Sequence, residues 1–100
     1  MFISIAKDGR LALGEQDDFK RLHIEPNGGM SVDDVGKALA SIATRDDNNF
    51  WIEVEALKVL SGRAGDPAWE QNFVKMIASV EKFGWLSLDR QRVRCHIKTK

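Results

Sequence analysis

Two histidines and a run of arginines are the side chains of this chain best placed to do chemistry near neutral pH. His23 stands in FKRLHIE with Glu25 two residues on, and His96 stands in RVRCHIK two residues after Arg94. An imidazole beside a carboxylate can serve as a general base, because its proton affinity lies close to physiological pH. Alternation along extended backbone puts both histidines on the polar faces of their strands. If those strands are neighbours, one cluster forms; if not, both are ordinary surface histidines. His23 and Glu25 offer at most two metal ligands where a zinc site takes three or four, so neither a metal nor another cofactor is expected.

The second concentration of chemistry is charge. From Arg90 to the C-terminus there are five Lys or Arg and no acid, whereas residues 1–89 hold ten bases against fifteen acids. A helix followed by a basic hairpin is what a winged helix sets against DNA. Against that, AWEQNFVKMIASVEKF exposes Glu70, Gln71, Lys75, Glu81 and Lys82, a neutral set, and FWIEVE reads as a strand where a winged fold needs a helix. The competing expectation is that Arg92 and Arg94 pair across a sheet with Glu53 and Glu55, each pair worth about 0.2–1 kcal/mol. Between these lies local binding of an acidic protein partner. Arg90 and Lys100 are expected to be solvated.

Other segments invite a site and lead elsewhere. PNGGMSVDD runs from strand through glycines to a helix start, as phosphate loops do, but Asp33 and Asp34 already occupy the electropositive first turn. Neither GxGxxG nor GxxxxGK occurs, nor do GxSxG and HExxH. Cys95 has basic neighbours, yet its alternation with Val93 and Ile97 assigns it to the apolar face, where a thiol is packing. Trp69 fits a core stripe and Trp85 caps the end of the core. Trp51 shares a strand face with Glu53 and Glu55, which suits either an interface anchor or stacking on Arg92 or Arg94.

The elements that must hold these residues follow from periodicity. FISIAKDGRLAL is a hairpin with its turn at Asp8-Gly9, and FKRLHIE is a third strand ended by Pro26. Ser31 caps a helix over VDDVGKALASIAT (32–44), with Asp34 as a short capping-box partner and Gly36 held by a close backbone contact. NNFWIEVEALKVLSG alternates as a strand over at least 49–56, although EALK could begin a short helix. Asp66 caps, and Pro67 opens, a helix with Trp69, Phe73, Met76, Ile77, Val80 and Phe83 on one stripe, stopped by Gly84. WLSL and RVRCHIK form a last hairpin.

The resulting order, βββαβαββ, predicts an α+β fold: a mostly antiparallel sheet with two amphipathic helices on one face. A hundred residues suit one domain, 1–100, and 43% apolar with 30% charged residues is a globular balance. Lys plus Arg equals Asp plus Glu at 15 each, which removes any general pull toward nucleic acid or anionic lipid. No apolar run approaches the roughly 18 residues of a membrane span, the start is too short for a signal peptide, and one cysteine cannot close a disulfide, so a cytoplasmic address is expected. The functional expectation is a small non-enzymatic binding or assembly protein, homodimeric through an exposed sheet face, with Trp51, Arg92, Arg94, His96 and His23 as contact residues. The alternatives are a winged-helix nucleic-acid binder and a small enzyme using His23 or His96.

Overall fold

The computed structural model describes residues 1–98. Phe2–Ile5 (β1) and Leu11–Gly14 (β2) pair antiparallel, Phe2 opposite Gly14 and Ile5 opposite Leu11. Gly9 supplies the left-handed turn position at φ 90°, and Ala6 N–H donates to Arg10 O to close the hairpin. The third strand, His23–Pro26 (β3), is shorter than the alternating run that foretold it, and it joins β1 on the opposite edge and parallel, Phe2 beside His23. Residues 15–22 carry the chain across to make that parallel approach.

Ser31 caps Val32–Ala38 (α1) through the expected capping box with Asp34. The helix stops well short of Thr44. Ala43–Asp46 (β4) and Asn49–Glu53 (β5) form a hairpin instead, Asp46 opposite Asn49, with Asp47 at φ 57° in the turn. Gly36 meets no backbone; a Cβ there would lie 3.7 Å from the Phe50 ring, an ordinary contact. The strand expected over 49–56 ends at Glu53, and Val54–Ser61 (α2) is helical until Gly62 closes it at φ 68°. Val54 N–H still bonds Gln91 O as a strand residue would, while Leu57 and Ser61 point inward on a helical period.

Asp66 accepts from Trp69 N–H and Pro67 opens Pro67–Val80 (α3), which buries Trp69, Phe73, Met76 and Ile77. A single 3₁₀ turn, Glu81–Phe83, leads to Gly84 at φ 76°. Phe83 departs from the expected stripe and is 58% exposed, because the tighter turn rotates it off the helix face. WLSL is not a strand: only Leu86 bridges Val93, and Leu88 projects fully into solvent. Arg92–His96 (β6) pairs antiparallel with β5, Phe50 opposite Cys95 and Trp51 opposite Arg94.

Among the described residues the fold is thus α+β with two three-stranded sheets, β2-β1-β3 and β4-β5-β6, rather than one, and with three α-helices rather than two. The sheets meet edge to edge where Ile24 bridges Ile97 in parallel and Lys98 N–H donates to Ile24 O at 2.8 Å. Ile3, Ile24, Phe50, Ile52 and Val93 turn inward to one cluster with Val35 of α1, Leu57 of α2 and Phe73 of α3. Strand alternation therefore leaves Phe2, Ser4, Trp51, Arg94 and His96 on the face away from the helices.

Candidate functional site

Register builds the site. Gly14 stands opposite Phe2, Phe2 beside His23, and the Ile24–Ile97 bridge sets His23 next to His96, which stands opposite Asn49. One transverse row therefore crosses the joined sheets. The Phe2 and His23 rings stack at 5.7 Å and 23°, and the His23 and His96 rings lie 6.1 Å apart. A Cβ at Gly14 would fall on the Phe2 ring, so the glycine makes room for the first ring of the row. His23, placed on a wet face by sequence, is only 7% exposed because rings flank it on both sides; His96 is exposed.

Beside this row the sheets part. The edge of β6 that meets β3 at Ile97 is taken over upstream by residues 85–87, through Arg94 N–H to Trp85 O and Ser87 N–H to Arg92 O. Segment 19–22 meanwhile leaves β3 in another direction. A cleft of about 340 Å³ opens between them. Its apolar lining comes from Met76 and Val80 of α3, Val93 of β6, and Phe19, Leu22 and Trp85. Its titratable lining is Lys20, Arg21, His23, Arg94, His96 and Lys98, without a carboxylate. A smaller hollow of about 240 Å³ shares Leu22, Trp85, Arg94 and His96 with it and extends toward Asn49.

Two buried side-chain nitrogens among the described residues lack a hydrogen-bond partner, and both belong to lining residues: His23 Nε2 and Arg94 Nε. Nε2 of His23 lies 3.2 Å from Glu25 Oε2, within ion-pair distance, but off the line a hydrogen bond needs. Distance alone would count that contact as satisfied; the alignment argues otherwise, since a ring N–H donates along its own axis. A donor left buried and unpaired costs about 1–3 kcal/mol, and more when it is charged. Glu25 itself lines a different hollow, with Pro26 and Lys98.

The expected contact residues divide here. His23, His96 and Arg94 converge on the cleft; Trp51 and Arg92 do not line it. The Trp51 indole N–H donates to Asp46 Oδ2 at 3.2 Å, which fastens the ring to β4. Arg92 stands opposite Glu53 in register, and no salt bridge joins them among the described residues. Glu55 is in α2, where it pairs with Lys58, so the expected Glu55–arginine contact is replaced. Arg90 reaches Glu81 at 2.8 Å rather than standing free, and Lys100 lies outside the described residues. Cys95 is buried, and its burial pushes the thiol up to about 12.

Met76, Val80, Trp85, Lys20, Arg21 and Lys98 were not legible as site residues, since each fits a core stripe, a cap or a solvated charge when read locally. A wider hollow, about 700 Å³, lies between the β1–β2 turn and residues 27–30, but it mixes Lys7 and Lys37 with Asp8 and Asp34 and is wide open. Among the described residues no three His, Cys, Asp or Glu converge as metal ligands, and no helix is long and apolar enough to cross a membrane. No family model, curated protein or solved structure matches the chain, so the chemistry of the cleft is the ground on which a function must rest.

Proposed function

We propose that this chain is a binding domain for a small organic anion, taken up in the cleft between β3 and β6. One observation carries the reading. In a chain with equal numbers of acids and bases, this cleft gathers six side chains able to bear positive charge and no carboxylate, beside an apolar lining. Ligand sites are typically concave, mostly apolar and about 300–1,000 Å³, with a few convergent polar groups. An apolar ligand body would cover Met76 and Val80, while an anionic group would pair with the Arg94 guanidinium, which lines the same cleft. Because the whole-chain charge is balanced, attraction is local to the site. A lone buried thiol fits a reducing compartment, and the cytosol is the proposed address.

The broader surface, with an acidic protein or a second copy of the chain against Trp51 and Arg92, has less support, since Trp51 engages Asp46 and Arg92 faces Glu53. The nucleic-acid reading needs residues 50–61 helical; 54–61 are, but 50–53 are strand. The approach of His23 to His96 in a concave site does favour a second reading, an enzyme that turns over the same bound anion with an imidazole as base. Thermal shift against organic anions and matched cations tests the main proposal. Anions should raise the melting temperature with dose, less so in high salt, and His96→Ala should weaken the effect; benzylamine working as well as benzoate would sink it. Conversion of a bound anion, lost in His96→Gln with binding retained, would favour the enzyme.

A further inference from the structure

The lining of the cleft says more about its ligand than its sign. Lys20, Arg21, His96 and Lys98 are exposed, so water screens whatever charge they carry. Arg94 is different: it is half-buried, its Nε is wholly shielded, and that nitrogen has no acceptor. Since Nε is sealed off, the guanidinium can offer the cleft only its two Nη as a planar fork, and the group that matches that edge with two coplanar oxygens is a carboxylate. Of the Lys and Arg side chains in the lining, Arg94 alone is drawn partly out of water, and it neutralises one charge. A phosphate monoester would bring close to two charges and tetrahedral oxygens to the same edge, leaving part of its charge against the apolar wall.

The body of the ligand is bounded by the other side. Met76 is an unbranched, polarizable side chain that adapts to an inserted group, Val80 and Val93 offer no hydrogen bond, and Trp85 presents a ring that is 43% exposed beside Arg94. At about 340 Å³ the cleft holds a small molecule, not a folded segment.

Resting on the anion-binding reading above, we infer that the ligand is a small monocarboxylate with an apolar, ring-sized body, its carboxylate against the paired Nη atoms of Arg94 and its body along Met76, Val80 and Trp85. His23, nine-tenths buried, lines the same cleft as a second polar residue, while its Nε2 lies toward Glu25.

Calorimetric titration of the full chain with 3-phenylpropanoate, 3-phenylpropanamide and phenethyl phosphate tests this, since the three share a body and differ in the head group. The carboxylate is expected to bind about tenfold or more tightly than either of the others, and Arg94→Lys, which keeps the charge and loses the fork, is expected to remove that preference. Phosphate binding as well as carboxylate overturns the inference and leaves the anion site standing. Amide binding as well as carboxylate overturns both. An unchanged preference in Arg94→Lys overturns the placement on Arg94, and silence of all three probes where other anions stabilise the protein overturns the ring-sized body. An acetylated peptide ending in phenylalanine, run alongside, should bind no better than the free acid; tighter binding would assign the carboxylate to a protein C-terminus and overturn the small-molecule source. The comparison among ligands uses the unaltered protein, so it stands even if a variant folds poorly.

Discussion

Arg94 and Cys95 are adjacent in β6 and their side chains live in opposite worlds. Arg94 turns out to the cleft, with a donor that the protein leaves unpaired, while Cys95 turns in and is sealed. Burial disfavours the thiolate, which is why the thiol rises from its ordinary 9.0 to about 12. Two consequences can be measured. A disulfide reagent at neutral pH should leave Cys95 unreacted in the native protein and label it at once in denaturant. Because the folded thiol holds its proton above the unfolded value, the associated stability is complete below pH 9 and is lost as pH climbs toward 12; Cys95→Ala should flatten that alkaline decline in a pH series of denaturant midpoints. Alternation in RVRCHIK disclosed both orientations from sequence alone. It did not disclose that His23 is buried, since the rings beside it come from Phe2 and from His96, on strands whose adjacency no local pattern encodes.

Elements were legible wherever period and punctuation agreed. The Asp8-Gly9 hairpin, the Ser31 capping box and the Asp66-Pro67 start of α3 are each written in two or three consecutive residues. The β4–β5 hairpin was not, because ATRD buries little and gives no alternation to read, while Ile42 and Ala43 happen to continue the α1 stripe. The switch from β5 to α2 was obscured by Val54, which suits both the strand phase of FWIEV and the helical spacing of Leu57 and Ser61. Gly36 makes a direct test of α1. With ordinary space for a methyl group and no left-handed backbone, Gly36→Ala should stabilise the protein by about 0.5–1 kcal/mol, seen as a higher urea midpoint with unchanged slope. For α3, Trp69 N–H chiefly, and then Arg63, hold the Asp66 carboxyl below its ordinary 3.8. A depressed folded value confers stability above pH 4 that vanishes as acid protonates the folded carboxylate. Asp66→Asn should therefore lower the melting temperature at neutral pH and show a smaller acid-side loss than the parent chain.

At the scale of the whole molecule, two sheets share one core but, among the described residues, touch along their edges at a single bridge. Interior strand amides such as Phe50 and Ile52 sit between paired neighbours, whereas Lys98 N–H spans the seam to Ile24. Hydrogen exchange should accordingly be faster at Lys98 than in β5, and a ligand in the cleft should slow it more than it slows β5, since occupation ties the two sides together. The strand order that creates the seam joins residues some seventy positions apart in the chain, so the cleft could not be read from sequence while its separate side chains could. The placement of the three indoles carries a practical corollary. Trp69 is enclosed and donates to Gln16 O, Trp51 is fastened to Asp46, and Trp85 alone among them lines the cleft. Emission from the native chain thus contains a built-in optical gauge: quenching or a blue shift on adding a compound, absent in Trp85→Phe, reports filling of the hollow without any label.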